Sequence, residues 1–283
     1  MGPSLPAPTP TPRLIDAHAH LQADAFAGDA DEVVATARVA GVQRLLDPGW
    51  DVASSRDALS LADRHAWIDV AVGVHPHVAA QVDERAWSAI TAMAGDPRVV
   101  AIGETGLDYD RAFSPRLAQL ANLRRNLALA LGTGRPAVLH CRSARGARDA
   151  QDELIAELRR AGVGGERWRH AFAGRPPAVL HSFSGPLDHA EAALELGLAI
   201  SFSGLVFRAG EEASAAVVRL VPADRLLVET DSPYLSPPGA PRRRNEPAWV
   251  AVTARWLAEQ RHDDPTELGE RLVANYDRIF RGA

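Results

Sequence analysis

Eight short apolar runs recur along the chain, and longer stretches of helical periodicity, rich in Ala, Leu, Arg and Glu, separate them. The runs cover residues 14–18, 42–47, 68–74, 99–104, 137–141, 178–182, 198–203 and 225–231. Strands that alternate with helices form a parallel sheet, because each helix returns the chain to the starting edge of the sheet. The alternation therefore predicts an α/β fold.

The number of repeats selects the architecture. Eight such units in 283 residues favour a closed (β/α)8 barrel in a single domain, which typically takes about 250 residues. An open doubly wound sheet is the alternative, but it would normally carry a glycine-rich phosphate turn after its first strand, and the sequence has none there. We expect residues 13–283 to form the barrel and the Pro-rich residues 1–12 to be a disordered tail.

Polar residues cluster at the carboxyl ends of the predicted strands. In a barrel all of these ends open onto one face, which is where active sites of this fold lie. We therefore expect residues that are far apart in the sequence to be neighbours. They are His18, His20, His75, Glu104, His140, His181 and Asp231.

His18 and His20 stand two residues apart in a run that is otherwise apolar. Residues i and i+2 of a strand point to the same face about 6.7 Å apart, so both imidazoles can reach one metal ion. Two histidines on a strand are by themselves more often structural than ligands. The other strand ends therefore decide between the two interpretations.

Alternation within the strands predicts an inward-facing set of four imidazoles and two carboxylates. Six ligands are too many for one tetrahedral ion, but they suit two ions about 3.5–4 Å apart that share a carboxylate. Chance placement at five separate strand ends is improbable. The set comprises His18, His20, Glu104, His140, His181 and Asp231.

Seven motifs follow in order along the chain: DAHAHL, GVHPH, AIGETGLDYD, VLHCRSA, VLHSFSG, ETDSPYLSP and RRRNEP. As a set they resemble the TatD family of metal-dependent DNases, in the amidohydrolase superfamily, over residues 14–281. The resemblance implies that His18, His20, Glu104 and Asp231 bind one divalent ion. It implies that Glu104, His140 and His181 bind the other. Imidazole and carboxylate ligands together suit Zn or Mn, and phosphoryl chemistry often recruits Mg, so we expect the two divalent ions to be Zn, Mn or Mg.

The chain contains no lysine, so all 31 basic residues are arginines. Many members of the superfamily bridge their metals with a carbamylated lysine, which this chain cannot do. The bridge must then be a carboxylate, and Glu104 is the candidate at the appropriate strand.

The expected chemistry is attack on phosphorus by a metal-activated hydroxide, which Asp231 orients and deprotonates. Arg142, two residues beyond His140, is a candidate phosphate contact, and an ion pair with a ligand carboxylate or with Glu229 is an equal alternative. We also expect phosphate contacts from His75 and from Arg244, which belongs to the RNEP part of the family pattern. Glu229 is expected to be buried behind the site, where it orients a metal-binding histidine, and a direct catalytic role is the alternative.

The formal net charge of −5 argues against a broad basic surface for nucleic acid, so an anionic substrate must be held locally. The single cysteine, Cys141, excludes an intramolecular disulfide and favours a reducing, cytoplasmic location. We predict no membrane span, no signal peptide and a monomer. Residues 162–177 form an unusually long predicted loop on the face opposite the site.

These observations favour a DNase that digests single strands or 3′ ends in the 3′ to 5′ direction. The alternative is a metallohydrolase of an ester or amide bond, such as a deacylase of misacylated tRNA, because a hydroxide also attacks carbonyl carbon. A barrel that has become a binding scaffold is a third alternative, against which the complete ligand set argues.

Overall fold

Eight parallel strands form one sheet in the order β1 to β8 in the computed structural model, which describes residues 13–241 and 243–282. The strands are β1 (Leu14–Asp16), β2 (Val42–Pro48), β3 (Ile68–Val72), β4 (Val99–Asp108), β5 (Ala137–Arg142), β6 (Ala178–Leu180), β7 (Ala199–Phe202) and β8 (Leu226–Val228). Each of the eight predicted runs overlaps one strand, and β4 continues beyond its run to Asp108.

Helices connect the strands and cover the outside of the sheet. The α-helices in the described part of the chain are α1 (Ala30–Val39), α2 (Val52–Arg64), α3 (Glu84–Met93), α4 (Arg116–Thr133), α5 (Asp149–Arg160), α6 (Glu166–Ala171), α7 (Leu187–Glu195), α8 (Ser214–Leu220), α9 (Val250–Arg261) and α10 (Pro265–Tyr276). Short 3-10 turns occur between them.

The sheet closes where the first strand meets the last. The Ala17 amide donates to the Val228 carbonyl at 2.9 Å, and the Asp231 amide donates to the His18 carbonyl at 2.8 Å. Ala19 and Ser232 form an isolated parallel bridge just beyond these contacts. The predicted single-domain (β/α)8 barrel is confirmed.

Five strands, β1, β3, β6, β7 and β8, end earlier than their apolar runs predict. β1 ends at Asp16, β6 at Leu180 and β8 at Val228. The chain beyond β1 still bonds to its neighbours, but without a regular ladder, as when Ala19 donates to the Leu46 carbonyl at 3.0 Å. The polar residues that follow these strands therefore lie on short extensions above the barrel.

The segment 162–177 is not a plain loop, because it contains α6. Trp168 of this helix is buried, and its indole N–H donates to the Ala161 carbonyl at 2.9 Å. The segment connects α5 to β6 and so lies at the amino end of the barrel, as expected. The predicted tail, residues 1–12, lies outside the described residues.

Candidate metal centre

The backbone of β4 and of the segment after β8 positions the two carboxylates of the polar cluster. Glu104 lies within β4, whose glycines allow β5 to approach very closely. A Cβ atom at Gly106 would stand 1.9 Å from the His140 carbonyl oxygen, so this position accepts only glycine. Asp231 follows β8 with a φ of 55°, in the left-handed region that Asp tolerates better than most residues.

The six predicted ligands come together at the carboxyl end of the barrel. His18, His20, Glu104 and His181 are buried, and Asp231 and His140 are partly buried. The barrel thus brings together residues that span more than 200 positions of sequence, from His18 to Asp231. It does so by the mechanism that the sequence predicts, since the six residues belong to five strands and lie in or just beyond the carboxyl-terminal part of each.

One group of ligand atoms surrounds the Oε2 atom of Glu104. The Nε2 atoms of His18 and His20 stand 3.2 Å apart, and they lie 3.3 and 3.5 Å from Glu104 Oε2. Asp231 Oδ1 lies 3.9 and 3.6 Å from the same two nitrogens. The four atoms converge on one small volume.

A second group surrounds the other oxygen of the same carboxylate. His140 Nδ1 lies 3.0 Å and His181 Nε2 lies 2.9 Å from Glu104 Oε1, and the two nitrogens stand 3.3 Å apart. Two ligands at 2.0–2.1 Å from a tetrahedral ion stand about 3.4 Å apart. The spacing in both groups therefore fits donor atoms that share a cation, with Glu104 common to the two groups.

Three of the histidines are oriented by a contact at the ring nitrogen that faces away from the cluster. His20 Nδ1 lies 3.0 Å from the Pro48 carbonyl oxygen, to which it can only donate. His181 Nδ1 lies 3.2 Å from Glu229 Oε1, and His140 Nε2 lies 3.2 Å from Asp108 Oδ2. A proton on the outer nitrogen leaves the inner nitrogen with the lone pair that a metal requires.

Electrostatics keep the central carboxylate ionised. Burial alone would raise the pKa of Glu104, but the surrounding histidines, His75 foremost, outweigh burial and hold this pKa well below its ordinary value. Burial and the neighbouring His181 lower the pKa of His18 to about 4. His18 is thus neutral near pH 7 and able to donate its lone pair to a metal ion.

The pKa of Asp231 shifts in the opposite direction to that of Glu104, because burial prevails over the neighbouring histidines. Burial raises the pKa of this carboxyl to about 7, against the attraction of His181 and His20. A cation between these groups would favour the ionised form of Asp231 and compensate the like charge of Glu104. The donor set therefore suits a divalent metal.

The predicted substrate contacts lie at different depths. His75 is buried, with Nε2 3.2 Å from Glu104 Oε1, and its Nδ1 accepts the His77 amide at 3.1 Å. Arg142 is exposed and forms an ion pair with Asp110 at 3.3 Å. Neither Glu229 nor a ligand carboxylate pairs with Arg142 among the described side chains.

Among the predicted substrate-binding residues, Arg244 forms the most hydrogen bonds with other side chains. Its guanidinium donates twice to Asp29, at 2.8 Å each, and once to Glu246 at 2.7 Å. It also lies over the Phe26 ring, 5.1 Å from the centroid. In this structure Arg244 ties the loop after β8 to the loop before α1.

Sequence reasoning missed Asp108 and His77. The buried Asp108 carboxylate accepts from His77 Nε2 at 2.7 Å as well as contacting His140. Its other oxygen accepts the amides of Asp110 and Arg111. Alternation along β4 was the available signal, since positions 104, 106 and 108 share one face of the strand.

Two further residues outside the predicted set hold the chain after β8. Asp16 accepts from the Thr230 hydroxyl at 2.6 Å and from the Thr230 amide at 2.9 Å. Asn245 is buried and donates to the Thr230 carbonyl at 3.0 Å. The RNEP motif therefore carries a structural asparagine next to Arg244.

A (β/α)8 barrel with a carboxylate-centred imidazole cluster at its carboxyl end defines the class of metal-dependent barrel hydrolases. The sequence matches the family described as TatD related DNase over residues 15–281. The chain belongs to this family.

Individual relatives agree with this assignment. The chain is 37% identical to a protein of Erwinia billingiae named 3′-5′ ssDNA/RNA exonuclease TatD, over 95% of this chain and 99% of the relative. It is 36% identical to the protein of the same name from Cronobacter sakazakii, over 94% and 97% of the two chains. The predictions of the family and of a hydrolase that acts on phosphodiester bonds are confirmed.

Solved structures match the fold over almost the whole chain. YJJV, a TatD homologue from Escherichia coli K12, superimposes with a TM-score of 0.82 at 27% identity, covering 95% of this chain and 98% of that one. A TatD family hydrolase from Entamoeba histolytica has the same TM-score at 21% identity, covering 96% and 99%, and supports the fold alone.

Proposed function

We propose that the protein is a divalent-metal-dependent nuclease that removes nucleotides from the 3′ ends of single-stranded DNA. Family membership supports the nuclease, and the names of the relatives support the direction and the single strand. The observation that carries the proposal is the Glu104 carboxylate, each oxygen of which faces a separate group of metal-ligand atoms.

The two groups provide sites for two divalent ions. The first would be held by His18, His20, Asp231 and one oxygen of Glu104, and the second by His140, His181 and the other oxygen. Among Zn, Mn and Mg, Zn fits the imidazole ligands best, and Mn and Mg fit the carboxylates best. Bound there, divalent ions would lower the pKa of a water molecule and neutralise charge on the phosphate.

Asp231 is the proposed proton acceptor. Its side chain is 14% exposed, whereas that of Glu104 is 4% exposed, so Asp231 is the carboxylate that meets substrate and water. An Asp231 oxygen would take a proton as the water oxygen bonds to phosphorus and the P–O3′ bond breaks. The released O3′ then takes a proton from solvent.

Two positioning roles follow from the contacts at the outer nitrogens. Glu229 would hold His181 in the tautomer that directs Nε2 at the cluster, and Asp108 would hold His140 in the tautomer that directs Nδ1 there. Arg142, exposed beside the site, is our first choice for a phosphate contact. His75 and Arg244 stay proposed contacts that require rearrangement, because Glu104 and Asp29 already engage them.

The predictions of location, oligomeric state and domain bounds stay proposals. The described chain contains no helix that is long and apolar enough to cross a membrane. A cytoplasmic monomer, with one barrel from residue 13 to residue 283, remains our proposal. With a net charge of −5, the protein must hold nucleic acid by contacts near the barrel mouth rather than by a broad basic surface.

The decisive test is digestion of an end-labelled single-stranded oligonucleotide. Protein stripped of metal is reconstituted with Mg, Mn or Zn and compared with an EDTA sample and with the Asp231→Asn variant. We expect a ladder that shortens from the 3′ end and that needs both metal and Asp231. Binding of two ions without cleavage by any reconstituted form would refute the nuclease and favour an ester or amide substrate.

A further inference from the structure

Large apolar side chains are unevenly exposed over the described surface. Most of them lie on the face that carries the metal centre, because they follow the carboxyl ends of strands: Phe113 and Leu117 after β4, Leu187 after β6 and Tyr234 after β8. The others, Val39 and Leu220, end α1 and α8 at the opposite face. Single exposed apolar residues need no explanation, but aromatic rings beside a catalytic cluster do.

Phe113 borders the second group of ligand atoms. Its side chain is 68% exposed, and its ring meets the edge of the His77 ring with centroids 4.8 Å apart. His77 is held in turn by Asp108, which also contacts His140. The Phe113 ring is therefore supported from below and open to solvent above.

Tyr234 borders the first group. It is 56% exposed, and its ring lies at a steep angle to the His20 ring with centroids 6.2 Å apart. A turn closed by the Tyr234 amide and the Asp231 carbonyl at 2.8 Å holds its backbone directly beside the proposed proton acceptor. The two exposed rings thus stand at the two ends of the cluster centred on Glu104.

We infer that Phe113 and Tyr234 are base-stacking residues that bind the last nucleotides of a single strand on either side of the phosphate that is cut. This inference rests on the proposed nuclease function and adds the part of the substrate that the protein recognises. Each base of an unpaired end offers a free π-face, and aromatic stacking tolerates every base. Stacked and paired bases of a duplex do not offer that face.

The charge distribution indicates that stacking on the bases of the strand contributes to the affinity for the substrate. Two of the arginines near the site are partly neutralised, since Arg142 pairs with Asp110 and Arg244 with Asp29 and Glu246. The overall charge of −5 repels a polyanion. Stacking therefore supplies binding energy that phosphate contacts provide in more basic nucleases.

The test combines removal of an aromatic ring from the protein with removal of bases from the substrate. Steady-state kinetics are measured for wild type, Phe113→Ala, Tyr234→Ala and Phe113→Leu on a single-stranded oligonucleotide, and on the same strand with abasic 3′-terminal nucleotides. Val39→Ala, which removes an 84% exposed apolar side chain from the opposite face, is the matched control. Phe113→Leu keeps an apolar residue and removes only the π-face.

We expect each alanine variant and Phe113→Leu to lower kcat/KM on the normal strand by roughly 5- to 150-fold, mainly through KM. Wild type should lose a similar factor on the abasic strand, and the variants should lose little more there. Equal losses on both strands, or full activity of Phe113→Leu, would overturn the inference while leaving the nuclease intact. A wild type that cuts neither strand with any metal would overturn both.

Discussion

Two buried carboxylates at opposite ends of the barrel are neutralised in different ways. At the amino end, Asp69 of β3 accepts from the Tyr276 hydroxyl at 3.0 Å and pairs with Arg281 at 2.6 Å. At the carboxyl end, Glu104 of β4 meets imidazole nitrogens of His18, His75 and other histidines, and the described chain offers it no arginine.

The difference separates stability from function. A carboxylate whose charge the chain itself compensates, as at Asp69, fastens the chain end to the barrel. A carboxylate surrounded by ring nitrogens, which carry lone pairs when neutral, leaves room for a cation from solution. In barrels of this type the amino end serves stability and the carboxyl end serves chemistry.

The largest expected effect comes from Glu104→Gln, which removes the charge common to both ligand groups. Metal ions supply several kcal/mol of transition-state stabilisation, so we expect kcat/KM to fall by about 10³-fold or more. The metal-free fold should persist, because glutamine keeps the size of the side chain. Metal content by mass spectrometry and circular dichroism check this. Two tightly bound ions in the variant would contradict the bridging role.

Removal of the metal should lower the free energy of unfolding of the wild type, and the whole loss should come from the site at the carboxyl end of the barrel. Metal at 100 times its dissociation constant stabilises a folded protein by about 2.7 kcal/mol. We therefore expect the thermal midpoint to rise when Mn or Zn is added to stripped protein. Glu104→Gln is the control, and an equal rise in that variant would show that the ions bind elsewhere.

Asp108→Asn tests whether the second ligand group depends on its outer carboxylate. Loss of such a partner typically weakens metal affinity by about 10- to 100-fold. We expect one of the two ions to bind more weakly by this factor in a calorimetric titration, while the other keeps its affinity. Asp110→Asn, two residues away and exposed, is the matched control. Equal weakening of both ions would place Asp108 in a general structural role.

Tyr276→Phe should give the smallest effect, and only at the amino end. It removes one hydrogen bond to Asp69, which typically contributes about 1 kcal/mol to the free energy of unfolding. Urea denaturation measures that loss, and metal affinity and kcat should match wild type. A large fall in kcat with unchanged stability would break the division between the two ends.

Much of this molecule was predictable because the signals are local. Each apolar run overlaps a strand, and alternation within runs assigned Glu104 and His140 to the inner face. The same alternation would have pointed to Asp108, had β4 been followed to its end. The α6 helix was missed because its six residues lie in a Gly-rich segment without a clear helical period.

Contacts between distant elements were not predictable in this way. Arg244 looked free to bind phosphate, but Asp29, 215 residues away in the sequence, occupies its guanidinium. Arg142 pairs with Asp110 rather than with the alternatives considered from the sequence. Loop paths decide both pairings, and strand alternation carries no information about loop paths.

The sequence by itself determined the eight strands, their order, the family and the inward set of candidate ligands, because hydrophobic period and residue type are properties of short segments. Only the tertiary structure decided that Glu104 presents one oxygen to each ligand group, that Asp108 contacts both His77 and His140, and that aromatic rings flank the cluster. Closure of the barrel sets these relations, since strand register and side-chain packing arise from the whole chain at once.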